Sequence, residues 1–234
     1  MKELLPHGLR QSIKRRLLAV RDMTTRLQTL RRAGFVCTGA IDGGAFRGDW
    51  TRDFWNVFPQ VPVLMVEPQP ELHTELRELA QSVDGSVVIP AALSNHGGTV
   101  MFTFQESNSG IRNSATPSEE SISLPCTTLE TILQERPGLS PNLLKLDLQG
   151  HELQAMHGAG AALSRFEVII CELSIIPIGG VPAFAEVNRF FEDHGYQIYD
   201  VLPQYDRPLD GALWQVDAFY VRLDSALIAT TAWR

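Results

Sequence analysis

The chain has 234 residues, 44% of them apolar and 20% charged, which is ordinary globular usage, excludes a disordered polypeptide and suits one sizeable core. Three widely spaced cysteines (Cys37, Cys126, Cys171) form no CxxC pair, and no apolar run approaches the roughly 20 residues of a membrane helix. A disulfide framework, a cysteine zinc site and a membrane-spanning chain are therefore not expected. No leader-like succession of charged, apolar and small residues is read at the start, and the cysteine usage fits a reducing cytoplasm.

The net charge of -7 is unevenly spread. Residues 1–34 carry nine of the 20 basic residues and two acids, Glu3 and Asp22, while the body is acidic. Leu9, Ile13, Leu17, Val20, Leu27 and Leu30 recur at helical intervals within this arm. The spacing predicts a helical arm packed on the main domain with its arginines in solvent. Contact with an anionic surface and packing between subunits of a homo-oligomer are the other readings. Nucleic acid is not expected as a partner, because no aromatic residue interleaves with the arginines before Phe35.

After Gly34, short apolar runs alternate with amphipathic stretches. Strands are expected at Val36 to Ile41, Val63 to Val66, Ser86 to Ala92, Leu143 to Leu148 and Val168 to Leu173. Helical faces follow: Trp50, Phe54, Trp55 and Phe58; Leu72, Leu76 and Leu79; Leu153, Met156, Gly160 and Leu163; Phe184, Val187, Phe190 and Phe191. That succession implies parallel strands with right-handed crossovers. Thr99 to Phe104 and Ser121 to Thr127 read as a hairpin-like insertion with a polar tip at 105–120. Tyr196 to Val201 and Trp214 to Val221 read as two last strands.

The chemistry gathers at strand ends. The first strand runs into Asp42 and then Gly43, Gly44, Ala45 and Gly48, a turn that lets a ligand approach the backbone. The second ends at Glu67-Pro68, where a carboxylate can accept two ribose hydroxyls. Asp42 would hold a ligand amine at the opposite end of the same nucleoside, and S-adenosylmethionine has that shape. Gly43-x-Ala45-x-x-Gly48 also satisfies a loosened dinucleotide fingerprint, which keeps a nicotinamide-dependent oxidoreductase as a rival, although a carboxylate at the turn would repel a pyrophosphate. Asp42 could instead cap a helix, and Glu67 could simply end a strand.

Asp42-Gly43-Gly44-Ala45-Phe46-Arg47-Gly48, Glu67-Pro68, Ala91 to Ser94, Thr128-Leu129-Glu130, Leu143 to Glu152 and Ile170-Cys171-Glu172-Leu173 together resemble the FkbM-type S-adenosylmethionine-dependent methyltransferases. The resemblance runs from about residue 36 to 222. It implies a class I methyltransferase (Rossmann-like) fold in an α/β domain over 35–225, with a mostly parallel seven-stranded sheet whose last strand is antiparallel. It implies methyl transfer to an oxygen, often on a sugar, glycan or natural-product hydroxyl. Asp42, Gly43, Gly44, Ala45 and Gly48 would surround the methionine part of the cofactor, Glu67 and Pro68 the ribose, and Ala92 and Leu93 the adenine. Gln149 departs from the glutamate common in the family, which weakens any mechanism needing a carboxylate or a divalent ion there.

An alcohol oxygen needs help in losing its proton, and the carboxyl end of the fourth strand offers Asp147 and His151 as catalytic candidates. A strand-end acid in an apolar run is costly without a partner, and Asp147 could also pair with Lys145 on the same face. His151 could instead be solvated or a cap. Glu152 could sit in the first turn of its helix and Glu172 could line the acceptor cleft. No essential metal is expected. A non-catalytic cofactor-binding scaffold is the remaining rival.

Overall fold

A computed structural model describes residues 22–103, 110–111 and 121–230. Most of the basic arm, with Leu9, Ile13, Leu17 and Val20, lies outside the described residues, as does most of the polar tip. What is described of the arm begins at helix α1 (Met23–Arg32), whose first turn is capped by Asp22 accepting from Thr25 N at 2.7 Å. Leu27 and Leu30 are buried against the domain.

The strands of the main sheet are β1 (Ala40–Gly43), β2 (Val63–Val66), β3 (Val87–Ile89), β8 (Leu143–Leu146), β9 (Val168–Ser174), β10 (Tyr196–Asp206) and β11 (Leu213–Arg222). Their spatial order is β10-β11-β9-β8-β1-β2-β3. The pairs from β3 through β9 are parallel, and β11 runs antiparallel to both neighbours. Helices α2 (Asp49–Val57), α3 (His73–Ala80), α4 (Leu129–Gln134), α5 (Glu152–His157) and α6 (Phe184–Asp193) complete the crossovers.

Strand alternation divides the core in two. Ile41, Leu64, Leu144 and Ile169 pack with residues of α4, α5 and α6 on one face. Ala40, Val63, Leu143 and Val168 pack with α1, α2 and α3 on the other. Both faces are covered, so these strands read as continuous apolar runs.

Several boundaries differ from expectation: β10 runs on to Asp206 instead of ending at Val201, and α5 ends at His157, with Gly160 and Leu163 in a separate 3-10 segment. The first run starts as a loop: Val36 is 75% exposed, and Asn142 ties down its carbonyl while accepting from Thr38 N. Ser86 to Ala92 breaks at Pro90, which lacks a ladder N–H, so the chain leaves β3 and resumes as β4 (Ala92–Leu93) in another sheet. The fourth strand stops at Leu146, because the chain turns at Gln149 and Gly150, with φ of 54° and 97°.

The second sheet has the order β4-β7-β5-β6. Its antiparallel pair, β5 (Gly98–Thr103) and β7 (Ser121–Thr127), is the hairpin expected there. β6 (Gly110–Ile111) adds to its edge, and the parallel β4–β7 pair joins it to the domain.

Candidate active site

Alternation also decides where the charged groups go. Leu143 and Val168 lie in the apolar layer under α1, α2 and α3, as do Ile170, Phe219 and Val221. Two residues further along the same face come Lys145 in β8, Glu172 in β9 and Asp217 in β11, the last two paired directly across the ladder. Asp147 follows Lys145 at the end of β8. These four side chains line a cleft of about 370 Å³ at the carboxyl end of the parallel strands, with Gly44, Ala45, Phe46 and Trp50 on one wall and Gln204 and Tyr205 on another.

The glycine turn is shaped by its neighbours. Gly44 has φ 74°, and a Cβ there would overlap the carbonyl oxygen of Asp147, so backbone from two strand ends meets with no side chain between. Gly48, at φ 78°, precedes α2 where Leu79 leaves no room for a Cβ. Gly43 packs against Leu93 and Leu146.

Asp42 is fully buried beneath this turn. Its Oδ2 accepts from Thr51 Oγ1 at 2.7 Å, and its Oδ1 lies 3.2 Å from Lys145 Nζ, as an ion pair without hydrogen-bond alignment. Burial pushes the Asp42 pKa up, against the pull of Lys145. Burial alone would lower Lys145, but Asp42 and Asp147 outweigh it and hold the ammonium protonated. Lys145 also donates to the carbonyl of Gly44 at 3.0 Å.

Glu67 closes β2. Its Oε2 accepts from Phe46 N at 2.8 Å and its Oε1 from Gln69 N at 2.9 Å, while burial raises its pKa. Pro68 follows it, buried. Ala92 and Leu93 are buried in β4.

The turn after β8 is built on Glu152. Its Oε1 accepts from Leu148 N at 2.7 Å and Gly150 N at 3.2 Å, and burial lifts its pKa to about 7. The turn presents Gln149, whose Nε2 donates to Asp147 Oδ1 at 2.8 Å and Glu172 Oε2 at 3.1 Å. Burial and then the Asp147 charge push Glu172 up to about 9. Burial, then Asp147, raises Asp217 to about 6, and Gln204 donates to its carboxylate. Asp147 is the more open acid, its side chain 37% exposed and 3.6 Å from Lys145 Nζ.

His151 is placed elsewhere. It precedes α5, is buried, and its Nε2 lies 3.1 Å from Ser94 Oγ; burial lowers its pKa to about 4. It is not among the cleft residues, because the Gln149-Gly150 turn carries the chain away before it. Sequence reasoning passed over Asp217, Gln204 and Tyr205. Asp217 carried a usable signal, an acid inside the apolar run Val216 to Val221.

The sheet order, the glycine turn after β1 and the acid ending β2 define a class I S-adenosylmethionine-dependent methyltransferase. The sequence model described as the methyltransferase FkbM domain matches residues 42–198, and the chain belongs to that family. No curated protein matches the chain. Among solved structures, magnesium protoporphyrin IX methyltransferase from Synechocystis PCC 6803, which holds bound SAH, is similar over 95% of this chain and 90% of its own, at 10% identity and a TM-score of 0.51. Precorrin-6y C5,15-methyltransferase from Geobacter metallireducens GS-15 is similar over 87% of this chain and 88% of its own, at 12% identity and a TM-score of 0.46. An N-methyltransferase from Bradyrhizobium japonicum WM9 is similar over 86% and 95%, at 7% identity and a TM-score of 0.49.

The cofactor of this family is S-adenosylmethionine, and the donor set fits it. Each Glu67 oxygen accepts one backbone N–H, which leaves acceptor capacity for hydroxyl groups. The carboxylates of the neighbouring cleft suit a cationic group. Asp42, in contrast, is engaged by Lys145 and Thr51 on the inner side of the turn. Among the described residues no grouping of three or more His, Cys, Asp or Glu could hold a metal ion, and no helix is long and apolar enough to cross a membrane.

Proposed function

We propose that this methyltransferase acts on a hydroxyl oxygen of a sugar, glycan or natural-product acceptor, with Asp147 receiving the proton. The observation that carries the reading is Asp147 itself. It is a partly open carboxylate beside a buried ammonium, in a cleft whose other strand-borne acids, Glu172 and Asp217, are more deeply buried.

When bound, S-adenosylmethionine supplies a methyl group on a sulfonium, which drives displacement without further activation. The chain's residues then need only bind, align and move one proton. Glu67 would hold the ribose hydroxyls, with Pro68 beside it. Gly43, Gly44, Ala45 and Gly48 would form the floor under the methionine part, stiffened from below by the Asp42–Lys145 pair. Ala92 and Leu93 would support the adenine side through the packing of Leu93 on Gly43. Asp147, 3.6 Å from Lys145 Nζ, would accept a hydrogen bond from the acceptor hydroxyl and take that proton as the new bond forms. Glu172 and Asp217 would orient further hydroxyls. His151, turned toward Ser94, is given a packing role.

The test is a panel of hydroxylated acceptors with methyl-labelled S-adenosylmethionine, with the methyl position located by NMR. Transfer to oxygen is expected, and Asp147→Asn should cut turnover by about 100-fold or more while S-adenosylhomocysteine affinity stays within about threefold. A methyl group found on nitrogen or carbon, or full turnover by Asp147→Asn, would overturn the reading.

A further inference from the structure

We propose that the Gln149 side-chain amide takes the place of a cation between Asp147 and Glu172: it is a positioning residue that clamps the two acids together and fills the position a bridging metal ion would need. This concerns the acids of the cleft whatever the acceptor proves to be.

Two carboxylates brought this close repel unless a cation, a shared proton or hydrogen-bond donors lie between them. Gln149 supplies the donors. Its single Nε2 reaches Asp147 Oδ1 at 2.8 Å and Glu172 Oε2 at 3.1 Å.

The backbone is committed to this arrangement. Gln149 sits at φ 54°, in the left-handed region that few side-chain-bearing residues adopt. The strain is held by Glu152, which caps the amides on either side of it, and by Val181, which packs where a Cβ on Gly150 would stand. A neutral amide adds no charge to the cleft. Burial and then the Asp147 charge push the Glu172 pKa up to about 9, and Asp147 stands 3.6 Å from Lys145 Nζ. The groups facing Glu172 are Asp147 and Lys145 from the β8 side, Glu152 from α5 and Asp217 from β11.

The experiment is carboxyl ¹³C NMR of the full chain, with no acceptor present. Gln149→Asn keeps the left-handed turn accessible but is too short to span both acids, and should move the carboxyl resonances of both Asp147 and Glu172 from their wild-type positions at about pH 7 while leaving that of the exposed Asp84 in place. In a second arm manganese(II) is added alone. The wild type should show no more broadening at Asp147 and Glu172 than at the exposed Asp84, whereas Gln149→Glu should broaden both signals at concentrations at least about tenfold lower. An unshifted Asp147 in folded Gln149→Asn, or a wild type broadened as readily as Gln149→Glu, would overturn the proposal. Neither outcome bears on whether the acceptor atom is oxygen.

Discussion

Lys145 and Asp42 face each other across the β1–β8 ladder, Nζ 3.2 Å from Oδ1, with Asp42 fully buried and Lys145 nearly so. Thr51 of α2 holds the second carboxylate oxygen, and the ammonium reaches on to the carbonyl of Gly44. One buried pair therefore fastens a strand end, a helix and the glycine turn to one another. The acid that opens the family's motif supports the glycine turn from inside.

Removing one member of such a pair leaves the other charged and buried, a loss of about 3–5 kcal/mol. Asp42→Ala should therefore lower the urea midpoint sharply, and the double variant Asp42→Asn with Lys145→Met should recover part of that loss, because it strands no charge. Donor affinity should fall together with stability. If calorimetry instead found lost S-adenosylhomocysteine affinity in Asp42→Ala with an unchanged urea midpoint, Asp42 would be meeting the ligand directly.

Glu67 is expected to behave differently. It holds the amides of Phe46 and Gln69, each of which would cost about 1–3 kcal/mol if left buried and unpaired. Glu67→Gln keeps one acceptor oxygen and replaces the other with a donor. S-adenosylhomocysteine binding should weaken about tenfold or more, about 1.4 kcal/mol, with a smaller loss of stability than in Glu67→Ala. Equal affinity of wild type and Glu67→Gln by calorimetry would remove Glu67 from the ribose site.

The buried acids make stability depend on pH in a definite direction. A carboxyl whose folded pKa lies above its unfolded value keeps its proton in the folded state. Its contribution is complete below the ordinary value of 4.5 and is lost as pH rises through the folded one. For Glu172 that loss extends to about pH 9, and for Glu152 to about 7. His151 acts with the opposite slope, since its depressed value of about 4 costs stability as pH falls from 6.5. The melting temperature should decline between pH 7 and 9.5, and Glu172→Gln should decline less. Parallel curves for the two proteins would mean that Glu172 is already ionised at neutral pH.

Much of this arrangement was legible in the chain. Val63 to Val66 gave a strand to the residue, because an apolar run bounded by Pro62 and Glu67 leaves no other register. Lys145 and Asp147 were placed on one face by alternation alone. The site's closure was less legible, because it depends on contacts distant in sequence: Glu172 meets Asp217 only after β11 inserts between β9 and β10. His151 looked catalytic because it follows Asp147 closely at the end of the fourth strand and an imidazole can take a proton at neutral pH. The left-handed pair at Gln149 and Gly150 turns the chain away before His151, and a positive φ at a glutamine has no sequence signature.

Gly44 offers a test of how closely the two strand ends must approach. A methyl group there would overlap the Asp147 carbonyl oxygen, and an alanine at φ 74° adds about 1 kcal/mol of backbone strain. Gly179 has nearly the same φ, 77°, but nothing within 4 Å of its added Cβ, so Gly179→Ala isolates the backbone cost. Gly44→Ala should be the more destabilising of the two. It should also displace Asp147 from Lys145 and Gln149, and so depress turnover beyond what its melting temperature explains. If the two variants melted alike and turned over alike, the backbone contact between Gly44 and Asp147 would have no part in holding Asp147 in place.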